Sequence, residues 1–329
     1  MENGTDTVCR TRIAPYAHVI IDNLDGTGLA LFSLLTAMTA IALLIFLDEA
    51  YYMYKKVHGP RKTLMIWING SAPVITIAAC VGMWIPRSSM ITDLTASVFL
   101  AVFIHKFQLM MVRECGGKNE FLRKFGNQKL QLSTGPCCCC CICLPRKDIH
   151  SRTIFVLKLG TFQFAFLKIT LMFLAIVMWT DDIFNVFDLS PFGPALWFNI
   201  IYGVSTVLAL WSVGIMFNLV RHTLSDTNII PKFVTYQCVV ILTQLQTAII
   251  NILGNMGIFP CSPPLPGPAR ASYVNQQLLI MEMFMTTLLF RLLYRRKYET
   301  LSNEDDTDNL QSNILDVNGN AMEGKLQYA

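Results

Sequence analysis

Seven long apolar stretches constrain this chain more than any other feature of its sequence. Each is close to the roughly 20 residues that a helix needs to cross the hydrocarbon core of a bilayer. Because backbone N–H and C=O groups find no water in lipid, segments that cross it must be helical. The sequence therefore predicts an all-α membrane protein with seven transmembrane helices, at about residues 28–47, 64–85, 91–112, 154–178, 195–217, 233–256 and 273–293.

The composition favours a membrane protein over the two soluble domains that a length of 329 residues would otherwise suggest. The chain is 53% hydrophobic and only 15% charged, whereas a soluble domain has roughly 25% charged residues. Residues 1–27 are predicted to form an extracellular N-terminal segment, and residues 28–298 the seven-helix domain. Residues 299–329 are acidic and polar, which predicts a disordered cytoplasmic tail.

Lysine and arginine are distributed unequally between the two sets of connecting segments. Segments 48–63, 113–153, 218–232 and the tail from Tyr294 hold 18 of them, whereas the opposite set holds 4. Positively charged segments of membrane proteins stay on the cytoplasmic side. The N-terminus is therefore predicted to be extracellular and the C-terminus cytoplasmic.

Two sequence features on the predicted outer side agree with this orientation. Asn3 begins an Asn-Gly-Thr sequon and is the candidate glycosylation site. Cys9 and Cys261 are the two cysteines predicted to lie outside the cell, and the sequence leaves open whether they pair. A second sequon, at Asn69, falls inside the second predicted helix and is expected to stay unmodified.

The loop between the third and fourth predicted helices, residues 113–153, carries a run of six cysteines. The cytosol is reducing, which argues against a disulfide knot. Zinc sites space their cysteines so that four can converge, which adjacent residues cannot do, whereas S-acylation requires only cytosolic thiols near a membrane. We therefore expect lipid anchors rather than a metal site, and the candidates are Cys137, Cys138, Cys139, Cys140, Cys141 and Cys143.

The segment before this run has the pattern of an amphipathic helix that lies in the membrane interface. Its basic residues lie away from an apolar face that four residues share on a helix: Phe121, Leu122, Phe125 and Leu132. A basic amphipathic segment together with acyl chains would make an anchor with two signals.

Polar residues inside the predicted helices are candidates for a solute path, because such residues are costly in lipid. In the sixth helix three polar residues recur every seven positions, and two more extend the same face. Our candidates are Gln237, Gln244, Thr247, Asn251, Asn255, Glu282, Thr286, Arg87 and Lys168.

Each candidate also has a structural interpretation, which the sequence leaves open. Gln and Asn in membrane helices often hydrogen-bond to neighbouring helices without touching a solute. Glu282, near the middle of the seventh helix, is expected to form an ion pair with Lys168 of the fourth if these helices adjoin. Arg87 can extend its charge to the membrane surface.

Six motifs, in order between about Leu43 and Lys297, carry a resemblance to a known family. They are "GMWIPRS" (Gly82–Ser88), "GPCCCCCICLP" (Gly135–Pro145), "FQFAFLKIT" (Phe162–Thr170), "GVSTVLALW" (Gly203–Trp211), "CSPP" (Cys261–Pro264) and "LLYRRK" (Leu292–Lys297). With these motifs the chain resembles the alpha subunits of organic solute transporters.

The resemblance implies a function that the residues by themselves do not show. It implies a facilitated transporter of bile acids, conjugated steroids and related organic anions in the basolateral plasma membrane, driven by the solute gradient without Na⁺ or ATP. A single-span beta subunit is the implied partner, and palmitoylation of the cysteine run belongs to the same picture. No enzymatic activity, cofactor, metal or nucleic-acid partner is expected. Membrane lipid is an expected partner, and the sequence leaves open whether the protein forms a higher-order oligomer.

Other functional classes are less consistent with the sequence. A seven-helix receptor would have the same spans and orientation, but the third predicted helix ends in "MMVRECGG" rather than in an acidic-Arg-aromatic triplet. The motifs of membrane-embedded hydrolases and of P-loop pumps are missing from the sequence. A membrane scaffold subunit stays open as an alternative, although intramembrane polar residues would then be an unexplained cost.

Overall fold

The structure is a computed structural model, and it shows seven long helices. It describes residues 15–57, 60–126, 129–130, 147–181, 183–184, 190, 192–224, 228–261 and 264–295. Asn3, Cys9, the six cysteines of the run and the acidic tail lie outside these residues.

Within the described residues, seven helices are long and apolar enough to cross a bilayer, which confirms the predicted number. At 1.5 Å per residue their 24 to 31 residues correspond to roughly 36–46 Å, more than the roughly 30 Å of a hydrocarbon core. Their ends therefore extend into the headgroup region. We call them spans one to seven: Gly26–Lys56, Arg61–Trp84, Pro86–Glu114, Ser151–Thr180, Pro194–Val220, Ile229–Asn255 and Gly267–Arg295.

The spans differ in how much of their surface the protein buries. Span two is 72% buried in its most apolar window, whereas spans one and four are each 22% buried. Leu44 of span one and Phe155 of span four expose about two thirds of their surface, 65% and 66%. Such apolar surfaces are stable in contact with lipid, and the chain is thus a multi-pass membrane protein.

Close approaches between small residues set the spacing of some neighbouring spans. Span three packs against spans two and four, and span four packs against span five. A Cβ atom at Gly160 of span four would overlap the hydroxyl of Ser212 in span five, and one at Gly254 would lie 2.7 Å from the Cβ of Ala271. Glycine at these two positions lets the helix backbones meet, as is common in membranes.

Aromatic side chains fill the core where spans three, six and seven converge. The rings of Phe107 and Tyr236 stack at 4.3 Å, and Phe103 contacts both Tyr236 and Phe290. Tyr236 has only 1% of its surface exposed. This core lies towards the end of the bundle where spans one, three, five and seven finish, which we call the basic end because the sequence predicts most lysines and arginines there.

A short helix, Lys118–Phe125, and a two-residue strand pair cover part of the basic end. Phe121 and Phe125 are 0% and 2% exposed and belong to the main hydrophobic core. The prediction that this amphipathic face lies in the membrane interface is therefore wrong for these two residues. An apolar helix face is stable in contact with either protein or lipid, so the sequence pattern alone could not show which of the two covers it.

The strand pair was not predicted, and it bears on the position of the cysteine run. Strand β1 (Lys129–Leu130) pairs antiparallel with strand β2 (Lys147–Asp148). Leu130 and Ile149, at the two sides of this pair, are buried in the main core. The segment 131–146, which contains the run, thus begins and ends against the basic end of the bundle.

Four charged side chains join spans one and seven at the basic end. The guanidinium of Arg291 lies 3.0 Å from Asp48 and 3.4 Å from Glu49, and that of Arg295 lies 3.2 Å from each carboxylate. Glu49 exposes 4% of its side chain, whereas Asp48 exposes 51%. Glu49 is therefore the carboxylate that depends on the two arginines for its stability in the bundle.

We expect Glu49→Gln to lower the thermal melting temperature of the purified protein clearly more than Asp48→Asn. Breaking a buried ion pair costs about 3 kcal/mol or more, whereas an exposed carboxylate contributes at most about 1 kcal/mol. Thermal unfolding in detergent, followed by intrinsic fluorescence, measures both variants against the wild type. Equal losses in the two variants would contradict the assignment of Glu49 as the structural carboxylate.

Candidate functional site

Four polar residues from different spans meet in the half of the bundle away from the basic end. Gln276 of span seven donates a hydrogen bond from Nε2 to Oδ1 of Asp93 in span three, at 3.2 Å. Lys168 of span four places Nζ over the ring of Tyr202 in span five, 4.1 Å from its centroid. The negative charge of Asp93 attracts the ammonium of Lys168. We call Asp93, Lys168, Tyr202 and Gln276 the central polar cluster.

Lys168 is the one sequence-predicted candidate that belongs to this cluster. It is 9% exposed and lies 12 residues before the end of span four at Thr180, which is roughly 18 Å of helix. Among the described residues it forms no ion pair with a carboxylate. Its ammonium is thus held by an aromatic ring and by Asp93 at longer range, and it keeps the capacity to attract a further anion.

Asp93 was missed by the sequence analysis, although the signal was available. It is an acidic residue inside the predicted span 91–112, the same kind of feature that drew attention to Glu282. Asp93 is exposed, whereas its hydrogen-bond partner Gln276 is buried. Asp93 therefore lies at the edge of the cluster.

The structure does not pair Lys168 with Glu282. Asp93 is the carboxylate whose charge acts on Lys168, and Glu282 instead lies next to Gln246 of span six. Span seven contacts span three through Gln276 and Asp93. The expected ion pair is not formed, because among the described residues Lys168 has no carboxylate within ion-pair distance. Spans three and five pack against span four and contribute Asp93 and Tyr202 to the cluster.

A second group of polar side chains lies between spans six and seven. Thr247 and Asn275 hydrogen-bond to each other, with Nδ2 of Asn275 3.2 Å from the threonine oxygen. The hydroxyl of Thr286 donates to the backbone carbonyl of Glu282 at 2.9 Å. Glu282 and Gln246 lie next to each other, and Oε2 of Glu282 is a buried atom without a hydrogen-bond partner in the described structure. Unpaired buried polar atoms of this kind are costly and mark sites where water or a solute group can bind.

The five candidates of span six do not form one buried stripe. Gln237, Gln244 and Asn255 are half-buried, but Asn251 is exposed. Span six contains a π-helical turn at Ile241–Gln246. A π turn holds an extra residue, so the seven-residue spacing no longer returns to the same face, and such turns are frequent at functional sites.

Arg87 lies apart from both groups, at the end of the bundle opposite to the basic end. Its guanidinium lies 3.4 Å from the centroid of the Tyr16 ring, and its side chain is exposed. A nearby cavity of about 170 Å³ lies between the helix Ala17–Asp22 and the residues around Leu265. This is smaller than the roughly 300–1,000 Å³ of typical small-molecule sites, so the cavity is too small for a steroid-sized solute.

Comparison with known proteins identifies the family. Residues 31–299 match the family of the organic solute transporter Ostalpha, which is most of the chain. The chain belongs to this family. All of the central polar cluster and the whole of spans two to seven lie within the matched residues.

Three relatives from the family are similar over most of their length. The organic solute transporter subunit alpha of Danio rerio is 47% identical over 303 residues, which cover 92% of this chain and 93% of the relative. The human subunit alpha is 39% identical over 315 residues, which cover 94% of this chain and 92% of the relative. That of Leucoraja erinaceus is 36% identical over 285 residues, covering 86% and 81%. These relatives are named as transporter subunits and not as enzymes, and no solved structure matches the chain.

We expect Asp93 and Lys168 to be energetically coupled, and Glu282 and Lys168 to be independent. Neutralising one charge of an interacting pair leaves the other uncompensated, so the double variant should lose less stability than the sum of the single variants, by roughly 0.5–3 kcal/mol. Double-mutant cycles with Asp93→Asn, Glu282→Gln and Lys168→Met, measured by thermal unfolding, give both couplings. A larger coupling for Glu282 would contradict the cluster.

Proposed function

We propose that this chain is the alpha subunit of a heteromeric facilitated transporter for bile acids, conjugated steroids and related organic anions. The proposal is supported by membership of the Ostalpha family and by the name of the relatives, "subunit alpha", which implies a further subunit. The partner is a single-span beta subunit. Flux across the basolateral plasma membrane follows the solute gradient and needs neither Na⁺ nor ATP.

The chemistry of the central polar cluster supports an anionic amphipathic solute. A bile acid or steroid sulfate has a broad apolar body and one anionic end, and it needs a mostly apolar site with few polar anchors. Lys168 is a buried cation without an ion pair among the described residues, beside the aromatic ring of Tyr202. The single observation that carries the assignment is this cation inside a bundle of a transporter family.

The solute path extends from this cluster along the polar groups between spans six and seven. Oε2 of Glu282 is positioned to accept a hydrogen bond from a hydroxyl group of a passing steroid. The path contains the candidates Gln237, Gln244, Thr247, Asn255 and Thr286 and, at the outer mouth, Arg87. Asn251 is exposed on span six and belongs to the path only if the partner subunit covers that face.

Tracer flux of taurocholate and of a steroid sulfate tests the proposal. Cells express the chain with or without the beta subunit, and uptake and efflux are compared with Na⁺ removed and with ATP depleted. Saturable flux that needs the partner, reverses with the gradient and ignores Na⁺ and ATP is expected. Absence of flux from a complex confirmed at the cell surface would favour a receptor or a scaffold.

We expect Lys168→Met to raise the KM for taurocholate by roughly ten- to a hundredfold, which is the effect of losing a hydrogen bond to a charged group. Lys62→Met is the matched control, because Lys62 also lies over a tyrosine ring, that of Tyr54, at the same distance of 4.1 Å. Initial rates are normalised to the amount of protein at the surface. The control should keep the wild-type KM, and an unchanged KM in Lys168→Met would refute the role of Lys168.

The predicted orientation and modifications complete the proposal. The N-terminus with Asn3 is extracellular and glycosylated, and the basic end is cytoplasmic. Cys261 is disulfide-bonded, and the described cysteines Cys80, Cys115 and Cys238 are free. Cys9 is the partner that the predicted orientation places on the same side of the membrane as Cys261.

The six cysteines of the run are S-acylated in this proposal. At roughly 3.5 Å per residue, Cys137 can reach no farther than about 25 Å from Leu130, which is buried at the basic end. The run is therefore held close to the membrane surface. Cys115, by contrast, is 1% exposed, and burial raises the pKa of its thiol to about 11, so it remains protonated and unreactive at neutral pH.

We expect replacement of all six run cysteines by serine to remove S-acylation and to lower surface abundance more than turnover per surface molecule. A thioester-exchange assay reports acylation, and surface biotinylation with tracer flux separates abundance from turnover. Cys115→Ser is the control and should leave the acylation signal unchanged, because its buried thiol is not a substrate. Normal abundance with lost flux would contradict the anchor.

A further inference from the structure

Four cations gather on one side of the basic end, and neither the fold nor the proposed solute path uses them. Lys106 and Arg113 lie on span three, seven residues apart and therefore on the same helical face. Lys118 begins the short helix that follows, and Lys158 lies on span four. Arg113 and Lys118 are exposed, whereas Lys106 and Lys158 are half-buried.

A seam of hydrogen bonds between spans three and four brings these residues together. Nδ1 of His105 lies 3.2 Å from the hydroxyl of Thr161, and Nε2 of Gln108 donates to the carbonyl of Leu157 at 3.0 Å. His105 and Leu157 directly precede Lys106 and Lys158 in the sequence. The two lysines are thus fixed at the same level of adjoining helices.

The charges of the group act on one another. The positive charges of Lys118 and Arg113 repel that of Lys158, and those of Lys106 and Lys158 oppose protonation of His105. Like charges on neighbouring elements repel one another, and a bound anion relieves that repulsion. The group therefore has the electrostatic character of an anion site.

The acidic side chains nearest in sequence pair with other residues. Glu114, next to Arg113, pairs with Arg61 at 3.7 Å. Glu120 pairs with Arg123 at 2.7 Å. Within the described residues, the four cations thus form no ion pair, which leaves their charge available to a bound anion.

The depth and surroundings of the group fit a lipid better than a soluble anion. Lys158 lies seven residues inside span four, roughly 10 Å along the helix from Ser151, at the level where headgroups meet acyl chains. Beside it, Phe155, Leu159 and Phe162 expose 66%, 49% and 54% of their surface. A ligand that reaches the lysines would place its apolar part against these side chains.

We propose that Lys106, Arg113, Lys118 and Lys158 bind the headgroup of an anionic phospholipid from the leaflet at the basic end. The phosphate lies between Lys106 and Lys158, and the exposed Arg113 and Lys118 contact the outer part of the headgroup. The acyl chains lie along the apolar face of span four. Basic pockets between membrane helices on the cytoplasmic side are known to take such lipids, and this site is independent of the transported solute.

Native mass spectrometry of the full-length protein, co-expressed with the beta subunit, tests the site by titration with phosphatidylserine. Lys106→Gln/Lys158→Gln should weaken binding of the first phosphatidylserine roughly 25-fold, because each lysine contributes about a factor of five. Lys55→Gln/Lys56→Gln is the matched control. It removes the same charge from two exposed lysines at the same end of the bundle, and it should leave this affinity unchanged.

Three further measurements make the test decisive. In phosphatidylcholine the double variant should melt no lower than the wild type, because it loses two charges that repel each other. If it does not fold, Lys118→Gln, at an exposed position, should weaken binding about fivefold. Inorganic phosphate and a steroid sulfate should not displace phosphatidylserine. Equal losses of phosphatidylserine affinity in the double variant and in the control would mean that only the overall charge of this end matters. Displacement by either soluble anion would assign the site to that anion. Either result would overturn the proposal.

Discussion

The absence of water from the hydrocarbon core is the constraint on which this structure depends. Each backbone group inside the bilayer has to find its partner in the same helix, and polar side chains find theirs on their own helix or on a neighbouring span. The hydrogen bonds of Gln276 with Asp93, and of Thr247 with Asn275, meet this requirement across span boundaries. Polar contacts therefore determine which helices adjoin, and dispersion between apolar side chains fills the space around them.

Charged groups meet the same constraint in two different ways. Glu49 is enclosed by two arginines within 3.4 Å, and the result is a closed clamp between spans one and seven. Lys168 has no carboxylate at ion-pair distance in the described structure, and it rests over Tyr202 instead. A fully paired charge contributes rigidity, whereas an incompletely paired charge retains electrostatic potential for a ligand. The closed clamp and the incompletely paired Lys168 thus lie in opposite halves of one bundle.

Hydropathy was sufficient to predict the seven spans, because length and apolar composition are local properties of the sequence. The neighbours of each span are not local, and this is why Lys168 was matched with Glu282 rather than with Asp93. The apolar face of Phe121 and Phe125 shows the same limit, since its pattern is identical for a helix against lipid and for one against protein. The π turn at Ile241–Gln246 has no sequence signal in this chain that we can identify, and it removed Asn251 from the predicted stripe.

The strand pair Leu130–Lys147 has a consequence for how the chain tolerates changes in length. Because the strands hold Leu130 and Lys147 side by side, the chain between them starts and ends at one fixed place on the bundle. The entropic cost of closing a flexible loop rises by only about 0.6 kcal/mol for each doubling of its length. A change in the number of residues between the two strands is therefore expected to cost the bundle little stability as long as the strands still pair.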